Sequence, residues 1–592
     1  MGLNFRATTM TTLTFPPASS SPAPRPRTLC PGRTPLPTLL ARGALPFALL
    51  ALSQGILAQQ LPGAGSQIQQ LPPTPVPQKA APEIRIQEGT APVRSAPSTA
   101  KILVKSLQIT GSRVFSETEL LALTGFVPNS ELTLAELQAM ATRITDHYRK
   151  NGYFVARAYL PAQNVKDNAL TIAVSEGQYG KIVLNNQTNL SDALVRDILG
   201  GVNSGDAITN DTLENRLLLL SDLQGVNVKS TLVPGDTPGS SDLVVDITPG
   251  KRISGSVDVD NAGNRYTGEY RLGGTLNVNN LLGRGDVFSL RAVSSGSGLN
   301  YGRASYQMQF GKATAGVAYS RLAYELGKEF APLQANGTAE VASVYGSYPL
   351  IRSRNTNLNA GLNYDHRTFQ DRIDVIPSVV DKKANVVTGS LYGNHSDQLG
   401  GGGVSAFSLG LSAGNLDIET PVALAADAAS ARTNGSYGKL AFSASRLQRM
   451  TDTLSLYAGV NGQLASKNLD ASEKMVLGGM DGVRAYPQGE AFGDQGYLIT
   501  LEARLRLPKP ENLPGQVHLI GFLDGGTVTI NKKPWAAGNN HRSLGAYGLG
   551  LTWGDPGNFA IRTYYARKLG DSAATSAPDK SGRFWIQAVK YF

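Results

Sequence analysis

Two short stretches hold the side chains best placed to do chemistry. Gly478-Gly479-Met480-Asp481-Gly482-Val483-Arg484-Ala485-Tyr486-Pro487 sets one arginine in a glycine-rich loop, and Gly521-Phe522-Leu523-Asp524-Gly525-Gly526 sets one aspartate in a strand-like stretch. Alternation with Val517, Leu519 and Leu523 on an apolar face turns Phe522 and Asp524 to the other face. A carboxylate on an enclosed face seeks a cation. An arginine on a loop folded back over it would supply paired hydrogen bonds, with more specificity than a lysine. Arginine stays charged and is a poor proton carrier, so the expected chemistry is an Arg484–Asp524 ion pair, not acid–base catalysis. As an isolated pair it should recover part of its activity when the two charges are exchanged. No Gly-x-Ser-x-Gly elbow, phosphate loop or His-Glu-x-x-His occurs, and His147, His366, His395, His518 and His541 are scattered without ligand spacing. The reading is a non-enzyme with no cofactor and no metal.

Composition narrows what can position this pair. A chain of 592 residues exceeds one compact core. It holds no run of about 18 apolar residues, which excludes a helical membrane protein. With 17% charged residues, 65 glycines, and 22 tyrosines and 17 phenylalanines against three tryptophans, it suits a large β-structure. The formal charge of +10 includes Arg6, Arg25, Arg27, Arg33 and Arg42; without them 50 basic residues face 45 acidic ones, too even a balance for nucleic-acid binding.

Alternation fills the chain from 251 to 592. Arg303, Ser305, Gln307 and Gln309 interleave with Ala304, Tyr306, Met308 and Phe310, and Asn357, Asn359, Asn363 and Asp365 with Leu358, Ala360, Leu362 and Tyr364. Short connections such as Asp555 to Asn558 take turns with long ones such as Gly570 to Gly582, as in outer-membrane barrels. The count is about 16 antiparallel strands, about 21 residues each with its connection. Parity puts both barrel ends on the periplasmic side and the Arg484 loop, the longest, on the extracellular side.

Ahead of the barrel the order β-α-α-β-β occurs twice, over 101–178 and 179–250, a repeat of roughly 70 residues. In the first copy a strand is expected over Ile102 to Thr110, Ser116-x-x-Glu119 opens a helix, and Thr133 caps a second running to Asn151. That helix sets Leu137, Met140, Ile144 and Tyr148 on one face, and strands follow at Phe154 to Leu160 and Leu170 to Glu176. Residues 59–100 are rich in Pro, Gln, Ala and Ser and read as a proline-rich linker of polyproline character, within which Ser66 to Leu71 could form one or two helical turns, marginal alone. Residues 1–58 hold the only cysteine, Cys30, and an apolar block from Ala44 to Leu52 with a candidate cleavage after Ala58. Their acid-free, arginine-rich composition also suits a transit peptide, but the apolar block favours a secretory signal.

These features resemble a TpsB-type two-partner secretion transporter, the haemolysin-activator group of the outer-membrane protein assembly superfamily. The repeats resemble paired POTRA domains, and Asp260-Asn261-Ala262-Gly263 and Asn280-Leu281-Leu282-Gly283-Arg284-Gly285-Asp286 resemble the first barrel hairpins. Val483-Arg484-Ala485-Tyr486 resembles the Val-Arg-Gly-Tyr loop motif, with Ala485 where glycine is usual, and Phe522-x-Asp524-x-Gly526 its partner strand motif. Phe592 resembles a C-terminal insertion signal, although Lys590 occupies an apolar site of that signal; a snorkelling lysine is expected. The family's plug helix has only the Ser66 to Leu71 segment to represent it.

The resemblance implies an outer-membrane protein of a Gram-negative bacterium. Its POTRA domains would take an unfolded exoprotein of the haemolysin or adhesin kind from the periplasm, and its barrel would pass it outward. It also implies outer-membrane lipid, the barrel assembly machinery and periplasmic chaperones as partners in its own biogenesis. A barrel-assembly factor and a passive porin are the alternatives. Such factors carry more POTRA repeats, and porins carry none.

Overall fold

The computed structural model describes residues 61–75, 84–86, 100–164 and 167–592. The secretory-signal reading of 1–58 lies outside them.

The first periplasmic module is built on local signals. Ser116 accepts the Glu119 N–H at the start of the helix Glu117–Thr124, and Thr133 and Glu136 form a reciprocal capping box at the start of Leu134–Lys150. Leu137, Met140, Ile144 and Tyr148 are buried against a sheet ordered Ser106–Thr110, Ala169–Ser175, Arg157–Tyr159. Burying each such side chain contributes about 1.5–3 kcal/mol. The strand expected over Ile102 to Thr110 is two strands in different sheets: Lys101–Val104 pairs with Ser130–Thr133, and Ser106–Thr110 runs parallel to Ala169–Ser175. The buried positions Val104, Leu107 and Ile109 explain the break, because a step of three between Val104 and Leu107 leaves the strand period. The expected strand from Phe154 to Leu160 contracts to Arg157–Tyr159.

The second module repeats the order with Gln178–Asn186, helices Asp192–Ile198 and Asn210–Asp222, and strands Val226–Pro234 and Ser240–Pro249. Its sheet has a fourth member. Ile84–Ile86, inside the stretch read as a proline-rich linker, lies parallel to Ser230–Leu232 and covers that edge. The linker reading is therefore corrected at this strand, whereas the short helix that the same stretch allowed is present as Ala64–Gln69.

Sixteen antiparallel strands, from Ile253–Asp260 to Gly582–Tyr591, close into a barrel. Among the described residues no helix is long and apolar enough to cross a membrane; the strands do so, presenting Val317, Val344, Leu362, Leu411 and Leu549 outward. The first and last strands pair over Ser256–Asp260 and Gln587–Tyr591, far less than Thr356–Ile373 and Ser378–Asp397 pair with each other elsewhere in the barrel. The second module docks on the periplasmic turns. Arg352 grips Asp222 through Nε and Nη2 at 2.7 and 2.8 Å, and Arg354 Nε lies 3.0 Å from Glu214.

Candidate functional site

The loop 466–494 enters the lumen as a folded unit. Met475–Val476 pairs with Phe492–Gly493, and beyond this hairpin the Val483 N–H donates to the Leu477 carbonyl at 2.7 Å, closing a tight turn. Gly482 makes the turn possible, since a Cβ there would lie 2.0 Å from the Leu477 oxygen. Ala485, in the place where glycine is usual, is buried and is not among the positive-φ residues, so the turn tolerates its methyl group.

This turn delivers Arg484 to the barrel wall. Its Nε and Nη2 donate to Asp524 at 2.8 and 2.7 Å, its backbone N–H donates to the same carboxylate at 3.1 Å, and Nη1 donates to Glu502 at 2.8 Å. Arg484, Asp524 and Glu502 are all buried. The guanidinium carbon stands 3.5 Å from the centre of the Phe522 ring and 4.9 Å from that of Tyr564. Glu502 turns its second oxygen to Arg504, 2.7 Å from Nη2, so the cluster holds two positive and two negative charges. The Arg484 carbonyl accepts the Trp585 indole N–H at 2.6 Å, which ties the loop to the last strand.

The structure thus brings together Val483, Arg484, Ala485, Tyr486, Phe522 and Asp524. Gly526 belongs to the same place: a Cβ on it would lie 2.9 Å from Leu477 of the loop. The Tyr486 hydroxyl donates to the Ser572 carbonyl at 2.8 Å. Phe592 serves elsewhere, its backbone paired with Gly255 at the barrel seam and its ring over that glycine. Lys590 bonds Asn558 of the adjoining periplasmic turn.

Sequence reasoning missed three carboxylates. Glu502 shares the inward parity of Thr500 and Arg504, and that parity was its only signal. Glu490, with no exposed surface, accepts the Thr575 and Ser576 N–H groups at 3.0 and 2.8 Å and is paired with Arg542. Asp494, equally buried, accepts the Leu469 and Lys532 N–H groups and lies 2.9 Å from Lys474 Nζ.

Beneath this loop lies the helix Ala64–Gln69, packed in a cluster with Leu322, Tyr324 and Phe369 of the barrel. The Ala64 N–H donates to Asp371 at 2.7 Å, Thr267 donates to Gln67 at 3.0 Å, and Gln70 accepts from Asn264 at 2.9 Å and, through its carbonyl, from Arg271 at 2.9 Å. Gln69 reaches the Ser472 carbonyl of the loop. The segment poorly suited to plugging by sequence is therefore a helix held inside the pore.

Comparison with known proteins agrees with this architecture. Residues 239–553 match a family model described as haemolysin secretion/activation protein ShlB/FhaC/HecB, and residues 102–177 match one described as POTRA domain, ShlB-type. The heme/hemopexin transporter protein HuxB of Haemophilus influenzae (strain ATCC 51907 / DSM 11121 / KW20 / Rd) is 31% identical over 559 residues, covering 91% of this chain and 97% of HuxB. The outer membrane transporter CdiB of Dickeya dadantii (strain 3937) is 25% identical over 73% of this chain and 77% of that relative. Among solved structures, CdiB from Escherichia coli superposes with a TM-score of 0.64 at 22% identity, covering 85% of this chain and 93% of that one, which shows a shared fold.

Proposed function

We infer the function of this chain from the family to which it belongs, that of the haemolysin secretion/activation proteins ShlB/FhaC/HecB. It is a two-partner secretion transporter of the outer membrane, with POTRA domains in the periplasm and a barrel through which a secreted exoprotein crosses to the cell surface. The observation that supports the mechanism is a barrel whose lumen holds the helix Ala64–Gln69 and the Arg484 loop, both fastened to its wall by polar contacts.

We read the chain as 59–100 linker and plug, 101–178 and 179–250 POTRA domains, and 251–592 barrel. An unfolded client would add to a free sheet edge by main-chain pairing. The Val226–Pro234 edge is taken by Ile84–Ile86, which becomes an outer strand opposite Gln178–Asn186, and Ser106–Thr110 and Arg157–Tyr159 flank the sheet of the first module. Transport would need no nucleotide and no catalysis, because folding of the client outside resists its return. Outer-membrane lipid, the barrel assembly machinery and periplasmic chaperones would serve the protein's own biogenesis.

The test compares proteins secreted by a deletion strain and its parent. Loss of one large exoprotein, with cargo of the heme/hemopexin kind named for HuxB sought first, supports the reading. Loss of many outer-membrane barrels instead would make the protein an assembly factor.

A further inference from the structure

The lumen changes chemistry along its length. Its extracellular half is laced with ion pairs, such as Arg367 and Lys439 on Glu473 and Lys382 on Asp470. At the periplasmic mouth, between the end of the helix Asn210–Asp222 and the barrel wall, lies a cavity of about 390 Å³ whose barrel side carries the amides of Gln307, Gln309, Asn357, Asn359 and Asn394, while leucines of the helix end, with Val287 and Pro349, add an apolar part. The charges bordering it are Lys312 and the mutually paired Asp222 and Arg352, and no aromatic ring lines it.

Much of this lining is open for a guest. Beyond their backbone pairing in the strands, the side chains of Asn359 and Ser347 make no hydrogen bond among the described residues. Asn394 accepts from Asn357 and Gln307 accepts from Tyr345, which leaves both amide NH₂ groups unused. A carboxamide offers a donor and an acceptor, the same pair that every residue of an unfolded chain presents along its backbone. Each neutral bond contributes only about 0.5–1.5 kcal/mol net. Such a surface holds an extended chain in any sequence and lets it move on, whereas fixed charges would trap some sequences and repel others. Absence of a stacking ring makes the site a poor match for a sugar.

We propose that this amide-lined cavity is the entry subsite of the pore, binding the backbone of an extended client as it passes from the second POTRA domain into the barrel. The proposal rests on the transport reading above and adds where, and by what chemistry, the client is first held in the pore.

The test uses the full-length protein in nanodiscs with a benzophenone side chain at Asn359, or at the outward-facing Leu362 as control. The probe is a fluorescent synthetic peptide of glycine, serine, threonine and valine. An adduct at 359 and none at 362 is expected. With the benzophenone moved to Gln309, the pair Asn359→Leu and Ser347→Val should lower adduct yield by about fivefold for each bond lost, at about 1 kcal/mol apiece. Heat-modifiability on gels reports that each variant is still a folded barrel. Equal yield in the double variant, no adduct at 359, or an adduct with residues 76–99 of the chain itself would overturn the subsite. If the deletion strain meanwhile loses its exoprotein, the transport reading stands without the subsite; an unchanged set of secreted proteins overturns both.

Discussion

Glu502 stands between Arg484 and Arg504, giving Oε1 to the first at 2.8 Å and Oε2 to the second at 2.7 Å. The lumenal contact is therefore a chain of four charges in which Asp524 is one of two acids on the same guanidinium. An isolated pair would survive an exchange of charges, but this chain does not offer the symmetry that an exchange needs.

The double substitution Arg484→Asp with Asp524→Arg is accordingly expected to fail, correcting the expectation from the pair alone. An aspartate at 484 would face Glu502, and an arginine at 524 would lose the Arg484 backbone bond. Arg484→Ala and Asp524→Ala each leave a buried charge short of its partner, a cost of up to about 3–5 kcal/mol where the site is dry. Heat-modifiable barrels that export little cargo are expected from both single variants and from the exchange. Substantial export by the exchanged form would show that Glu502 is a bystander.

Asp371 accepts both the Ala64 N–H and the Tyr324 hydroxyl at 2.7 Å. Asp371→Ala leaves the two donors without that acceptor, about 1–3 kcal/mol against the docked helix. Gly65→Leu attacks the same helix sterically, its Cβ lying 2.8 Å from that of Ser472. Planar-bilayer recordings should show higher conductance for both variants. Channels as closed as the wild type would refute the role of these contacts in holding the plug.

Glu490 fastens the loop 466–494 to the last extracellular loop through Thr575 and Ser576. Glu490→Ala should speed cleavage between residues 570 and 581 by protease added to intact cells, with barrel abundance unchanged. An unaltered cleavage rate would mean that this loop is held by other contacts.

In the first POTRA domain the Tyr148 hydroxyl donates to Glu176 at 2.8 Å, and burial, followed by this bond to a carboxylate, raises the phenol's pKa above the ordinary tyrosine value. The neutral phenol is the form that folding favours. Its contribution is complete below the unfolded pKa and is lost as pH rises through the higher folded one. Tyr148→Phe should cost about 1 kcal/mol at neutral pH, read as faster hydrogen exchange of residues 101–177 in the full-length protein. The gap between wild type and variant should shrink at alkaline pH, and a gap that stays constant would argue against the assignment.

Local pattern alone determined much of this protein. The period-two alternation of 251–592, the even strand count and the twice-used β-α-α-β-β order are properties of neighbouring residues, so they are legible without knowing what packs on what. Parity alone turned Asp524 inward. It also turned Glu502 inward, but it carries no information on which acid a loop arginine reaches, and that was decided when the turn at Gly482 aimed Arg484 between them. The plug and the linker strand were hidden for a further physical reason. A helix of six residues and a strand of three are too short to be stable alone, so propensity barely marks them. They exist because of partners far along the chain: Ala64 is capped by Asp371, 307 positions away, and Ile84–Ile86 is held by the backbone of Ser230–Leu232. Where stability comes from contacts distant in sequence, only the tertiary structure decides.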